Sequence, residues 1–401
     1  MTSRRNFLKI SSLASASLLM PQFLQGMINP VLGSTGRKLI IIQLSGGNDG
    51  LNTVVPYEDD HYYRARGGIG IAPQKIIRLN DYLGLNPEME AIRHLYDDGQ
   101  MTILNSVGYP NPNRSHFRAM DIWHTGSNAH EYWDSGWLGR YLDHQCSGCE
   151  APHRIIEVDD TLSLAVKGEK TKGLAVQNPR QLYQATQDPY LKSLEQHATA
   201  PPSLPDSELD YLYKTLTETI HSAEYIYEKS NVYRSKITYP SNPLGKRLKM
   251  VAELINSGVE TSVFYLSLPG FDTHVRQRSI QDRLLRQYSE AISAFQEDLE
   301  QNQQWDNTMI MTFSEFGRRV EQNASGGTDH GKANNLFLLG GKLKKPGVFN
   351  APPNLARLDD GDLQWEIDFR QVYATLLEDW MEVSDDSVLK RKFKKLRLIE
   401  V

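Results

Sequence analysis

Lys38-Leu39-Ile40-Ile41-Ile42-Gln43-Leu44-Ser45-Gly46-Gly47-Asn48-Asp49-Gly50 decides the fold. Its first seven residues form an apolar run with no polar alternation, the pattern of a strand buried on both faces, as in a parallel sheet covered by helices. The run passes directly into turn formers, Ser45 to Gly50. The same strand-then-polar-loop rhythm recurs downstream. A strand over 101–107 leads into a Pro/Asn loop and a helix over 115–124. A strand over 261–268 leads into Phe271-Asp272-Thr273-His274, and one over 308–313 into Ser314-Glu315-Phe316-Gly317-Arg318. A glycine-rich loop over 326–331 precedes a short strand over 335–339. Helical spacing marks 87–98, 137–145, 279–301 and 369–380. Strands alternating with helices predict an α/β fold with a mostly parallel central sheet and helices on both faces.

The middle of the chain is less regular. Residues 154–158 and 162–166 read as strands, and 188–206, polar and proline-bearing, as a surface connection. Helices are predicted over 207–230, tyrosine-rich and amphipathic, and over 242–257. The organisation expected is a single domain over 37–401 with a helical insertion at about 200–257.

Ahead of this domain, Ser3-Arg4-Arg5-Asn6-Phe7-Leu8-Lys9 spells a twin-arginine signature. A short apolar stretch follows, diluted by Ser11, Ser12, Ser15 and Ser17. It falls short of the about 20 apolar residues that a membrane span needs. Residues 1–36 therefore read as a twin-arginine signal peptide and linker, which implies export to the periplasm with the twin-arginine translocase as partner. No later segment reads as a membrane span. The net charge is −5, and nothing in that balance supplies the basic patch that nucleic acid would require. The two cysteines, Cys146 and Cys149, are separated by two residues and lie between His144 and His153. In an oxidising compartment the pair reads as a local disulfide or free thiols, with a zinc clip as the other reading.

The chemistry collects after the strands. In open α/β sheets, sites form beyond the carboxyl ends of the strands, and Asp49, Arg114, Ser115, His116, Asp272, His274, Glu315 and Arg318 all follow an apolar run. Asp329 and His330 lie in the loop entering the last strand. Asp49, Asp272, His274, Glu315, Asp329 and His330 are the candidate metal ligands, a mixture suited to zinc, magnesium, manganese or calcium. Each has a plain structural alternative: a turn aspartate for Asp49, a helix-start acid for Glu315. Asp272 and His274, two apart, would point the same way from extended chain. Ser115 is the candidate nucleophile. It opens a predicted helix, whose free N–H groups favour an oxyanion, although a serine there can also simply cap the helix. Arg114, His116 and Arg318 are the candidate partners of a phosphate or sulfate oxygen.

Together, GGNDGLNTVVP (46–56), NRSHFRAMDIWHTG (113–126), FDTH (271–274), TFSEFGRR (312–319) and GTDHG (327–331) resemble the bacterial family called domain of unknown function 1501. That family is usually exported by the twin-arginine route and is grouped with the alkaline-phosphatase-like superfamily of phosphatases and sulfatases. The resemblance covers the chain from about 38 onward. It implies an alkaline-phosphatase-like fold, with Asp49 matching the first metal aspartate, Ser115 the nucleophile and His330 the last histidine. Asp272 and His274 stand for an Asp/His pair that the superfamily spaces by three residues. Glu315 keeps a carboxylate where Phe316 replaces an imidazole, and Asp329 could stand in for that ligand. The expectation is an exported metal-dependent hydrolase of small-molecule or polymer phosphate or sulfate esters. The alternative is a catalytically degenerate binding or assembly protein of the cell envelope.

Overall fold

The computed structural model describes residues 36–145, 151–198 and 207–400. The twin-arginine segment and Cys146/Cys149 lie outside the described residues. The central sheet has nine strands: β1 (Lys38–Ser45), β2 (Met101–Gly108), β3 (Ile155–Glu157), β4 (Leu174–Ala175), β5 (Val263–Pro269), β6 (Thr308–Phe313), β7 (Asn334–Gly340), β8 (Gly347–Val348) and β9 (Ile367–Asp368). Their order is β8-β2-β7-β6-β1-β5-β3-β4, with β9 also on β2. The sheet is mixed. β1 is parallel to β5 and β6, whereas β7 runs antiparallel to both β6 and β2. The reversal matters for the site. Because β7 runs backwards, the loop entering it lies at the same edge as the loops leaving β1, β2, β5 and β6.

The unbroken apolar run of β1 is explained by its two faces. Ile40, Ile42 and Leu44 enter one hydrophobic core, and Leu39 and Ile41 the other. Each fully buried side chain of this kind contributes about 1.5–3 kcal/mol. Strand β5 divides the same way, with Phe264, Leu266 and Leu268 in the first core and Val263 and Tyr265 in the second.

Eight helices matter here: α1 (His116–Thr125), α2 (Trp137–Gln145), α3 (Pro179–Thr186), α4 (Pro189–Ala198), α5 (Ser207–Lys229), α6 (Pro243–Asn256), α7 (Gln277–Gln301) and α8 (Phe369–Thr375). Leu248, Val251 and Leu254 of α6 and Leu285, Tyr288 and Ile292 of α7 cover the first face. Ile122 and Trp123 of α1, Trp137 and Leu138 of α2 and Val372 and Tyr373 of α8 cover the second. Trp123 stacks on Phe313 at the end of β6, ring centroids 4.7 Å apart, which seats α1 against the strand that carries Glu315.

Three local expectations change. Within 188–206, α4 forms: Pro189 occupies its first turn and the Asp188 carboxylate accepts from the Tyr190 amide at 2.8 Å, a start signal in which proline's missing N–H costs nothing. Residues 164–166 form a 3₁₀ turn closed by Lys167 N–H to Leu164 O, not a strand. The helix expected over 87–98 breaks into a 3₁₀ segment, Pro87–Ile92, and a short α-helix, Arg93–Asp97, with Met89 off helical geometry. No described helix is long and apolar enough to cross a membrane.

Candidate metal centre and nucleophile

Gly46 and Gly47, at the end of β1, have positive φ (119° and 74°) and leave room for their neighbours. A Cβ on Gly46 would lie 2.3 Å from the Asp272 amide, and one on Gly47 would lie 2.2 Å from the Phe316 ring. Glycine is therefore required for the β1, β5 and β6 loops to meet. Arg318, 2% exposed, ties them together. Its guanidinium donates to the carbonyls of Gly46, Gly47, Phe271 and Thr328 and to Asp272 Oδ1 at 2.9 Å. These bonds engage all three guanidinium nitrogens, so Arg318 braces the loops and is not free to clamp an ester oxygen.

Glu315 is wholly buried. Its Oε1 accepts from the Gly46 amide at 2.8 Å and from His116 Nδ1 at 2.9 Å. The carboxylate raises the affinity of His116 for protons, against the opposing effect of burial. With Nδ1 donating to Glu315, the lone pair of neutral His116 is at Nε2. That atom is buried, has no hydrogen-bond partner and lies 3.5 Å from Asp272 Oδ2. His330 is oriented in the same manner. Its Nδ1 donates to the Arg114 carbonyl at 2.8 Å, leaving the Nε2 lone pair 3.2 Å from Asp272 Oδ1. Burial holds His330 below the usual histidine range. Asp272 is pushed upward by burial, but Arg318 and His330 overcome this and bring it down to about 2.

One ligand atom from each of His116, Asp272 and His330 lies within 4.8 Å of the others. A ring N–H anchored to a carboxylate or carbonyl, with the other nitrogen facing a shared point, is how metal-binding histidines are held. Two imidazoles and a carboxylate match three-ligand catalytic zinc sites and other divalent transition-metal sites better than all-oxygen calcium sites. His274 stands at the rim. Its Nε2 is 3.0 Å from both His330 Nε2 and Asp272 Oδ1, and its Nδ1 is 3.3 Å from Asp329 Oδ1. Because His330 presents a lone pair, the 3.0 Å contact is attractive only with a proton or a cation between the rings.

The expected ligands thus separate. Asp272 and His330 converge and His274 joins their edge. Asp329 orients His274, and Glu315 holds His116. Asp49 lies elsewhere: its carboxylate caps the turn at Leu51 and is bound by the buried Arg66 and by Gln277. His116, read from sequence as an oxyanion partner, instead joins Asp272 and His330 in the candidate metal cluster. Phe316, expected from the resemblance to stand where an imidazole would be, lies against the rings of His116 and His330 at 4.8 and 4.6 Å. Ser115 is exposed, directly before α1, and its side chain makes no capping bond. Arg114 turns its side chain to Asp362 and Asp360. Arg66, Arg319 and the Asp359-Asp360-Gly361-Asp362 tip were not singled out from sequence, since nothing local marks them as neighbours of the site.

Among solved structures, the chain is similar to the PsFucS1 sulfatase from Pseudoalteromonas sp., with 12% identity, 90% of this chain and 73% of that chain covered, and a TM-score of 0.39. It is also similar to a protein in the alkaline phosphatase superfamily from Vibrio parahaemolyticus, with 10% identity, coverage of 90% and 72%, and a TM-score of 0.38. A third is the C-terminal periplasmic domain of EcEptC from Escherichia coli in complex with Zn, with 11% identity, coverage of 76% and 72%, and a TM-score of 0.37. Comparison with curated proteins finds no match. The sequence profile of the family described as protein of unknown function (DUF1501) matches residues 95–393, and the chain belongs to that family.

Proposed function

We propose that the protein is an exported, metal-dependent hydrolase of phosphate or sulfate esters with Ser115 as its nucleophile. The observation that carries this reading is the convergence of His116 Nε2, His330 Nε2 and the Asp272 carboxylate beside an uncapped serine that opens a helix. His116, His330 and Asp272 would hold a divalent cation such as zinc or manganese. When bound, such a cation supplies Lewis-acid stabilisation of negative charge on oxygen. Ser115 Oγ loses its proton to solvent and bonds to phosphorus or sulfur as the bond to the ester oxygen breaks, and water then displaces Ser115 Oγ, restoring the hydroxyl and releasing the acid. The free amides of the first turn of α1 favour the charge that develops on the transferred group. His274, held between Asp329 and Asp272, is placed to carry a proton to the departing oxygen. Glu315 keeps His116 in the tautomer that faces the site. Export rests on Arg4 and Arg5 in their motif, a route that carries folded, metal-loaded chains and implies the twin-arginine translocase as a transient partner.

The test is turnover of aryl phosphate and aryl sulfate by the purified chain loaded with zinc, manganese, magnesium or calcium. Activity on one ester class that Ser115→Ala abolishes, with metal binding retained, is the expected result. No turnover of either ester with any of the four metals would sink the proposal.

A second reading, a catalytically idle binding or assembly protein of the cell envelope, is favoured by two particulars. Asp49, which the resemblance matches to the first metal aspartate, and Arg318, read from sequence as an oxyanion partner, are committed to protein partners. This reading expects bound metal and a biological role that survives Ser115→Ala.

A further inference from the structure

Beside the candidate metal centre lies a second feature, in which two arginines meet an acidic hairpin. Arg114 and Arg319 are each about one-third exposed, and both project toward a two-residue hairpin. Both branch from the backbone around His330: the Arg114 carbonyl accepts from His330 Nδ1, and the Arg319 amide donates to the Asp329 carbonyl. The hairpin pairs Leu358 with Leu363 and Asp359 with Asp362, and turns at Asp360-Gly361. Both turn residues have positive φ, 54° and 80°, the conformation of the tight turn that matches strand twist.

Every acid of this hairpin faces a cation. Asp359 pairs with Lys332 at 2.6 Å, and Asp362, fully buried, pairs with Arg114. The exposed carboxylate of Asp360 lies 3.4 Å from Arg114 Nη2 and 3.5 Å from Arg319 Nη2, bridging the two guanidiniums. The cradle beneath is incompletely satisfied. Arg319 Nε and Asp362 Oδ1 are buried and form an ion pair at 3.5 Å, too long for a well-made hydrogen bond, and neither has another hydrogen-bond partner. A buried guanidinium N–H whose acceptor is this distant is incompletely satisfied, and a tetrahedral oxyanion supplies acceptors in the geometry that guanidinium binds best.

We propose that Arg114 and Arg319 form an anion subsite for a second phosphate or sulfate group of the substrate, and that Asp360 occupies this subsite in its absence. The substrate class is then an ester bearing at least two anionic groups. Naming the anion's carrier a substrate rests on the hydrolase reading above; the binding of the anion does not. The hairpin acts as an internal competitor, so the apparent affinity is reduced by the fraction of time the cradle is closed.

The experiment is calorimetric titration of inorganic phosphate, and separately of sulfate, into the metal-free full chain. Removing metal separates this subsite from the neighbouring centre. Asp360→Asn deletes the competing charge, and asparagine tolerates positive φ, so the turn is preserved. The expected result is about tenfold tighter binding of at least one anion in Asp360→Asn, corresponding to a cradle about nine-tenths closed in the parent. The gain should vanish in Asp360→Asn/Arg319→Gln. Unchanged affinity in Asp360→Asn for both anions, or a gain that persists without Arg319, overturns the proposal. Tightening without any ester turnover would leave the subsite standing and remove the hydrolase reading; turnover without tightening would do the reverse.

Discussion

Glu315→Gln removes one charge from the site and almost none of its shape. In the parent, Oε1 accepts from the Gly46 amide and from His116 Nδ1, while Oε2 lies 3.3 Å from Ser314 Oγ. A glutamine carbonyl can keep both Oε1 contacts, and its amide can donate to Ser314 Oγ. Stability measured by urea unfolding should therefore change little. Metal affinity should fall, because the carboxylate that strengthens His116 as a donor is gone. Losses of this kind are about 10- to 100-fold, or about 1.4–2.8 kcal/mol. Glu315→Ala is the contrasting variant. It strands two N–H donors, on Gly46 and His116, each costing about 1–3 kcal/mol when left unpaired, so unfolding free energy should drop by about 2–6 kcal/mol. Calorimetric titration of zinc or manganese and urea unfolding followed by circular dichroism read the two effects separately. Wild-type metal affinity in Glu315→Gln would refute the strengthening of His116 by the carboxylate's charge. A loss beyond about a thousandfold would make Glu315 a ligand in its own right, as its place after β6 first implied.

Two further outcomes follow from buried charge. Arg66→Met leaves the Asp49 carboxylate buried without its cation, and breaking such a pair costs about 3–5 kcal/mol. Denaturant midpoints should shift accordingly, while metal content by elemental analysis stays at the parent level if Asp49 is only structural. His124, buried against Gln43 and Tyr265, is lowered by burial from 6.5 to about 4. A depressed folded-state value means its contribution is fully present above pH 6.5 and is lost as pH falls toward 4, amounting to about 3 kcal/mol at most. Burial raises Glu157 to about 7, which acts with the opposite sign across an overlapping range, so the wild-type curve mixes both. The difference between wild type and His124→Gln isolates the histidine: the variant's stability should fall less between pH 6.5 and 4. Parallel curves would show that His124 does not titrate in this way.

Much of the fold was legible because double burial leaves an unmistakable trace. The run from Leu39 to Leu44 is apolar at both parities since its odd and even residues enter different cores, and β6 follows the same rule over Thr308–Phe313. The edge at which chemistry collects was legible as well, because each polar loop directly follows such a strand. The direction of β7 was not. Its apolar run reads the same whichever way it pairs, and only hydrogen bonding to β2 and β6 reverses it.

What the sequence determined by itself, then, was the layered α/β plan, the family, and a set of acids, histidines and one serine displaced to one sheet edge. The tertiary structure decided how that set divides. Asp49 and Arg318 carry the residue types of a catalytic site, yet Arg66 and Gln277 hold the first, and four carbonyls and Asp272 saturate the second. His116 Nε2 faces the candidate metal point because Glu315, 199 residues away, takes its other nitrogen. Such assignments depend on which donors and acceptors remain unpaired after folding. No local pattern encodes that remainder, because the partners that consume it arrive from distant parts of the chain.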